Sequence, residues 1–138
     1  MDILVLIGRI LFSVLFLTSA LGHLTQSKAM AQYAASKGVP VPQLSVVVSG
    51  VVLVVGALSV LFGVWADLGA LLLVAFLVPT AALMHNFWSE SDAQARQTEM
   101  IQFNKDIALA GAALMLFAFF AHTSDLGLTI TGPLFTIS

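Results

Sequence analysis

Charged and titratable side chains are scarce in this chain, so the places where they collect are where chemistry could occur. His23 closes the stretch SALGH, His85 opens HNFW, and Asn104, Lys105 and Asp106 stand together before another greasy run. An imidazole titrates near neutral pH and can pass a proton in either direction. With the Asn104 amide and the Lys105 ammonium, His23 and His85 would offer donors to a quinone carbonyl, or an acceptor to a quinol hydroxyl. Trp88 could add a ring face beside them, or could anchor the chain among lipid headgroups, where tryptophan is enriched. Two histidines and an aspartate are also zinc-type ligands, but no spacing unites them and no metal site is assigned. They are too few and too shallow for a pair of intramembrane haems. The chain has no cysteine, which removes disulfides, thiolate ligands and thiol redox chemistry. It carries no phosphate loop, dinucleotide fingerprint or serine-nucleophile signature, and no catalytic residue is assigned.

These residues must be positioned by a chain that suits lipid better than water. Its 138 residues are 59% hydrophobic and 9% charged, with a mean hydropathy of +1.04; a typical soluble domain is about 25% charged. A membrane-spanning helix needs about 20 mostly apolar residues, and runs at about 3–24, 44–64, 68–84 and 101–121 meet or approach that length. The sequence therefore predicts one all-α domain over 1–138, a four-transmembrane-helix bundle in antiparallel up-down order. The first run is expected to be retained rather than cleaved as a signal peptide. Its flank, Met1-Asp2, has no basic cluster, and the rest of the chain is equally apolar. Pro79 is expected to kink the third span without ending it.

The connections carry their own signals. Ser27–Ser36 reads either as a short amphipathic helix in the interface plane or as a plain loop. Residues 91–102 read as a second short helix, capped by Ser89 or Ser91. The tail after His122 is broken by Gly127, Gly132 and Pro133 and is too short for a fifth span.

Four spans put both termini on one face, the terminal face, and the 1–2 and 3–4 connections on the opposite, connection face. His23, His85, Trp88, Asn104, Lys105 and Asp106 all fall toward the connection face. So do Lys28, Lys37 and Arg96, and the positive-inside bias then places that face in the cytoplasm. Arg9 lies about two turns inside the first span, where a charge must pair, snorkel or face the bundle interior. Its expected partner is Asp67, in the 2–3 turn on the same face; snorkelling to headgroups is the alternative. Ser49, Gly56 and Gly63, spaced by seven, and the pair Ala108 and Ala112 are expected to let helices approach closely.

Three stretches together resemble the DoxX family of small four-helix membrane proteins (DoxX/DoxD-like). They are GRILFSVLFLTSALGHL from Gly8, SGVVLVVGALSVLFGVWADLGALLL from Ser49, and HNFWSESDAQARQTEMIQFNKDIALAGAALML from His85. Arg9 takes the place of the family's frequent early arginine, and His85 to Trp88 resembles its His-x-Phe-Trp loop. The order Asn104-Lys105-Asp106 departs from the family's more frequent Lys-Asn, and puts an acid where a neutral amide is usual. The resemblance covers about residues 1–121. It implies a multi-pass protein of the bacterial cytoplasmic (inner) membrane, linked to membrane oxidoreductase complexes and oxidative-stress handling.

Three functions remain open at this stage. The first is an accessory subunit of quinone-linked or oxidative-stress chemistry, holding a quinone or a membrane oxidoreductase partner at the His23/His85/Lys105 end. The second is a structural or assembly subunit that binds no ligand, in which small-residue stripes face another protein or a second copy. The third is a small-solute transporter formed by an oligomer. An accessory role ranks above independent catalysis, because the chain has no cysteine, no assembled metal set and no large extramembrane domain. A formal net charge of −2 leaves no basic footprint for nucleic acid; the partners expected are the lipid bilayer and other membrane proteins.

Overall fold

The computed structural model describes residues 1–123 and 126–138. Among these, the chain forms α1 (Asp2–Thr25), α2 (Ser27–Ser36), α3 (Pro42–Phe62), α4 (Ala66–Met84) and α5 (Ala93–His122), with a 3-10 turn at Phe87–Ser89. Helices α1, α3, α4 and α5 are each long and apolar enough to cross a membrane. Large apolar side chains such as Ile3, Leu4, Leu11 and Leu114 point outward, which costs nothing where the surrounding medium is lipid.

Small residues set the helix contacts. His23 and Leu24, near the end of α1, lie against Gly50 near the start of α3, where a Cβ would stand 2.9 Å from each side chain. Arg9, near the start of α1, reaches the last turn of α3, so the two helices run antiparallel. Helix α3 crosses α4 at Gly56, whose missing Cβ would stand 2.9 Å from the Leu73 side chain. Helix α5 packs on α4, while the backbones of α1 and α5 scarcely approach each other. Side chains bridge that gap: Phe16 and Ala20 share one core cluster with Leu53, Leu73, Ala110 and Ala113.

The small-residue expectations therefore divide. Gly56 does make a close helix crossing, and it is buried. In α5 the buried alanines are Ala110, Ala113 and Ala121, and Ala108 faces outward. Helical phase decides this, because Asp106, Ala110, Ala113 and Phe120 lie on one inward stripe.

The 3–4 connection also differs from expectation. Residues 93–102 are the first turns of α5 itself and form no separate short helix. The cap is Asp92, whose side chain accepts the Ala95 amide at 2.8 Å, in place of Ser89 or Ser91. Thirty helical residues extend about 45 Å, beyond a hydrocarbon core of about 30 Å, so the start of α5 projects past the apolar layer.

At the terminal face the tail folds back over the bundle. The last four carbonyls of a helix lack partners within it, and in α3 each one is met. The amides of Gly63 and Val64 donate to Ser59 O, Arg9 Nε to Val60 O (2.8 Å), Arg9 Nη2 to Leu61 O (2.7 Å), and the Ile130 amide to Phe62 O (3.2 Å). Arg9 Nη1 donates to Leu128 O of the tail at 2.8 Å. Asp67, fully buried in the first turn of α4, accepts the tail amides of Leu134 (3.0 Å) and Phe135 (2.7 Å). The expected Arg9–Asp67 ion pair is therefore replaced by two charge-to-backbone anchors. Arg9 lies at the negative end of one helix dipole and Asp67 at the positive end of the next, and the tail supplies the remaining groups.

Candidate functional site

The opposite, connection face holds the titratable cluster. His85 follows the end of α4, where the chain leaves helical geometry. Glu99 and Asp106, seven residues apart on α5, are two helical turns apart and so share a face. That face meets His85. The imidazole Nδ1 lies 2.7 Å from Glu99 Oε2, and Nε2 lies 3.6 Å from Asp106 Oδ2. Asp106 is buried, with 6% of its surface exposed.

Helix α2 closes the cluster from the side. The Tyr33 hydroxyl donates to Glu99 Oε1 at 2.9 Å. The Lys37 ammonium donates to Glu90 Oε1 at 3.1 Å and Asn86 Oδ1 at 3.3 Å, and lies 3.9 Å from Glu99 Oε1. Burial pushes the Tyr33 phenol up, and the Glu99 hydrogen bond adds to this. Burial alone would lower the Lys37 ammonium, but its bond to Glu90 and the charge of Glu99 hold it above the ordinary lysine value. Beside these groups lies an open depression of about 390 Å³ lined by Tyr33, Ser36, Lys37, Asn86, Ser89 and Glu90.

The residues singled out from sequence separate into three places. His85 is at the centre of the cluster. His23 is not with it. The Ser49 hydroxyl donates to Val46 O at 2.8 Å, so His23 Nδ1–H donates to Ser49 Oγ, also at 2.8 Å, and the ring packs edge-on against Phe76. Phe76 precedes His85 by nine residues, about 13 Å along the helix, so the two imidazoles occupy different levels.

Asn104 and Lys105 are exposed on α5, next to the cluster but turned away from its interior. Lys105 Nζ reaches Gln102 Oε1 at 2.5 Å and lies 3.8 Å from Asp106 Oδ1. Trp88 is half exposed, its ring edge-on to Phe87 and Phe103 with centroids 5.3 and 5.7 Å away. Tyr33, Lys37, Glu90 and Glu99 were not singled out from the sequence. The seven-residue spacing of Glu99 and Asp106 was a readable signal for one shared helix face. Nothing in the local sequence pointed Tyr33 and Lys37 toward that face.

Four apolar spans with an ionisable cluster at one end define a small polytopic membrane protein whose polar chemistry sits at the bilayer boundary. The DoxX family model matches residues 4–86, and the chain belongs to that family, a group broadly linked to redox and stress-response membrane proteins. Two relatives from Escherichia coli (strain K12) are similar along most of their length. "Inner membrane protein YphA" is 30% identical over 83% of this chain and 81% of its own. "Inner membrane protein YqjF" is 31% identical over 83% of this chain and 82% of its own. No solved structure gives a significant match. The chain is a multi-pass integral protein of the bacterial inner membrane.

Proposed function

We propose that this chain is an accessory membrane subunit of quinone-linked oxidoreductase or oxidative-stress chemistry, and that the His85 end is where a quinone headgroup or a partner oxidoreductase is held. The observation that carries this reading is the His85 ring, placed between Glu99 and Asp106 at the helix ends where Trp88, Asn104 and Lys105 are exposed. A quinone lying in the interface would meet Trp88 as an aromatic wall and Asn104 and Lys105 as donors, with the His85 cluster behind them as the proton source. Reduction to quinol needs two electrons as well as two protons. A partner oxidoreductase supplies the electrons, which is why the role is accessory. His23 has a structural task, since its Nδ1 is engaged with α3.

An exposed Gly56/Gly63 stripe would favour the assembly reading, and both glycines are buried within the chain. The experiment is to purify the protein in native lipid particles and measure copurifying quinone and proteins by mass spectrometry. The expected result is bound quinone that falls at least tenfold in His85→Ala and Lys105→Ala and is kept in His23→Ala. A stoichiometric oxidoreductase without quinone selects the partner-docking form. Absence of both from folded wild-type protein overturns the proposal.

A further inference from the structure

We propose that His85 and Asp106 hold one mobile proton between them, and that Asp106, His85 and Glu99 form a proton relay opening on the connection face. Donor and acceptor accounting leads to this. Glu99 accepts the Tyr33 hydroxyl on Oε1 and has the Lys37 ammonium 3.9 Å from the same oxygen, which favours its ionised form, and its Oε2 faces His85 Nδ1 at 2.7 Å. It is therefore the ionised acceptor, and Nδ1 carries a hydrogen. That leaves Nε2 facing Asp106 Oδ2 at 3.6 Å, in a site where Asp106 is nearly sealed from solvent. A bare imidazole nitrogen and an ionised carboxylate would be two acceptors turned toward each other. One proton, on either atom, removes the conflict.

The surrounding charges allow the proton to reside on either side. The groups facing the pair are Tyr33 and Lys37 from α2, Glu90 from the connection, and Glu99 and Lys105 from α5. Lys37 and Lys105 balance Glu90 and Glu99. The pair is itself neutral whether it is written as imidazole and carboxylic acid or as imidazolium and carboxylate. The 3.6 Å separation exceeds a hydrogen bond, and a small tilt of the ring or a turn of the aspartate brings the atoms into transfer range.

In the relay step the Asp106 O–H bond breaks as Nε2–H forms, and Nδ1–H breaks as an O–H forms on Glu99 Oε2. No electrons change hands; one proton moves from Asp106 to Glu99 and the imidazole is left as its other tautomer. The reverse transfer restores it. Glu99 adjoins Tyr33 and Lys37, which line the open depression, so the relay links water on the connection face to a buried carboxyl. As a proton supply for a bound acceptor it rests on the proposed function, but the shared proton can be observed without any ligand.

The test uses protein with 15N-labelled histidine in lipid nanodiscs, with His85 assigned by its loss in His85→Gln. Nitrogen shifts give the state of the ring, and infrared difference spectra against Asp106→Asn give the state of the carboxyl. At neutral pH the expected result is either a neutral ring protonated on Nδ1 with a protonated Asp106, or an imidazolium with an ionised Asp106. In Asp106→Asn the ring should be neutral and protonated on Nδ1, with the asparagine amide able to donate to Nε2. In the wild type, a neutral ring with bare Nδ1 or a neutral ring beside ionised Asp106 would overturn the proposal. If Asp106→Asn does not fold, the wild-type nitrogen spectrum with the carboxyl band read against Asp106→Glu decides. These spectra require no quinone, so they separate failure of the relay from failure of the ligand reading.

Discussion

Arg9 shows how a buried charge in a membrane protein can be satisfied without an opposite charge. Its three nitrogen contacts are all backbone carbonyls, two from the end of α3 and one from the tail. The guanidinium fork suits this, because its N–H groups diverge in a fixed plane and reach separate acceptors. Arg9→Ala should therefore lower stability by about 3 kcal/mol, through lost charge-assisted hydrogen bonds and stranded carbonyls. Arg9→Lys should restore only part of that, since an ammonium cannot span the same carbonyls. Chemical denaturation in mild detergent would measure both. A chain ending at Thr123 should be similarly weakened. Combining that truncation with Arg9→Ala should cost clearly less than the sum, because both remove one shared set of contacts; full additivity would show that the tail and Arg9 act separately.

Among the elements, the α3–α4 turn and the start of α5 are the most informative. Gly63 ends α3 at φ 66°, and a Cβ there would meet Thr129 of the tail at 2.6 Å. Both the backbone and the space demand glycine at this position. Gly111, in the middle of α5, has nothing within 4 Å of where its Cβ would be. Gly63→Ala should cost about 1–3 kcal/mol from the left-handed backbone alone. Gly111→Ala should instead be neutral or stabilising by up to about 1 kcal/mol, through helix propensity. Thermal unfolding of the two variants side by side checks the contrast, and equal effects would show that neither the left-handed backbone nor the Thr129 contact demands glycine at position 63. The continuous α5 has a functional consequence as well, because its projecting first turns carry Glu99 to the level of Tyr33 and Lys37.

At the scale of the whole molecule, the two faces have different tasks. The terminal face is sealed by the tail, with Arg9 and Asp67 as anchors. The connection face carries the ionisable groups and the open depression. Lys28, Lys37, Arg96 and Lys105 all lie toward the connection face, and by the positive-inside bias we propose that this face is the cytoplasmic one. Because the chain has no cysteine, a single introduced thiol reports its own side without background. Gln32→Cys and Ser91→Cys should be shielded from a membrane-impermeant reagent in intact spheroplasts, and Ser138→Cys should be labelled. The opposite pattern would reverse the orientation and put the His85 cluster on the outer side.

The all-α class, the four apolar spans and the family were legible in the sequence. Each depends on local composition or on short contiguous stretches, and the need to satisfy every backbone group within lipid leaves few alternatives to helices. The chemistry was only partly legible. His85 could be picked out because HNFW is polar and aromatic in an apolar chain, and Asn104 and Lys105 because they are charged or polar neighbours. Helical phase then turned those two outward and Asp106 inward, and a difference of one residue rotates a side chain by about 100°. One of the three Arg9 contacts depended on the tail folding back across more than a hundred residues, and the Tyr33–Glu99 bond on α2 packing along α3 so that the Tyr33 side chain reaches α5. Such pairings arise from how the helices pack, which no local stretch of sequence contains, and so only the tertiary structure decided them.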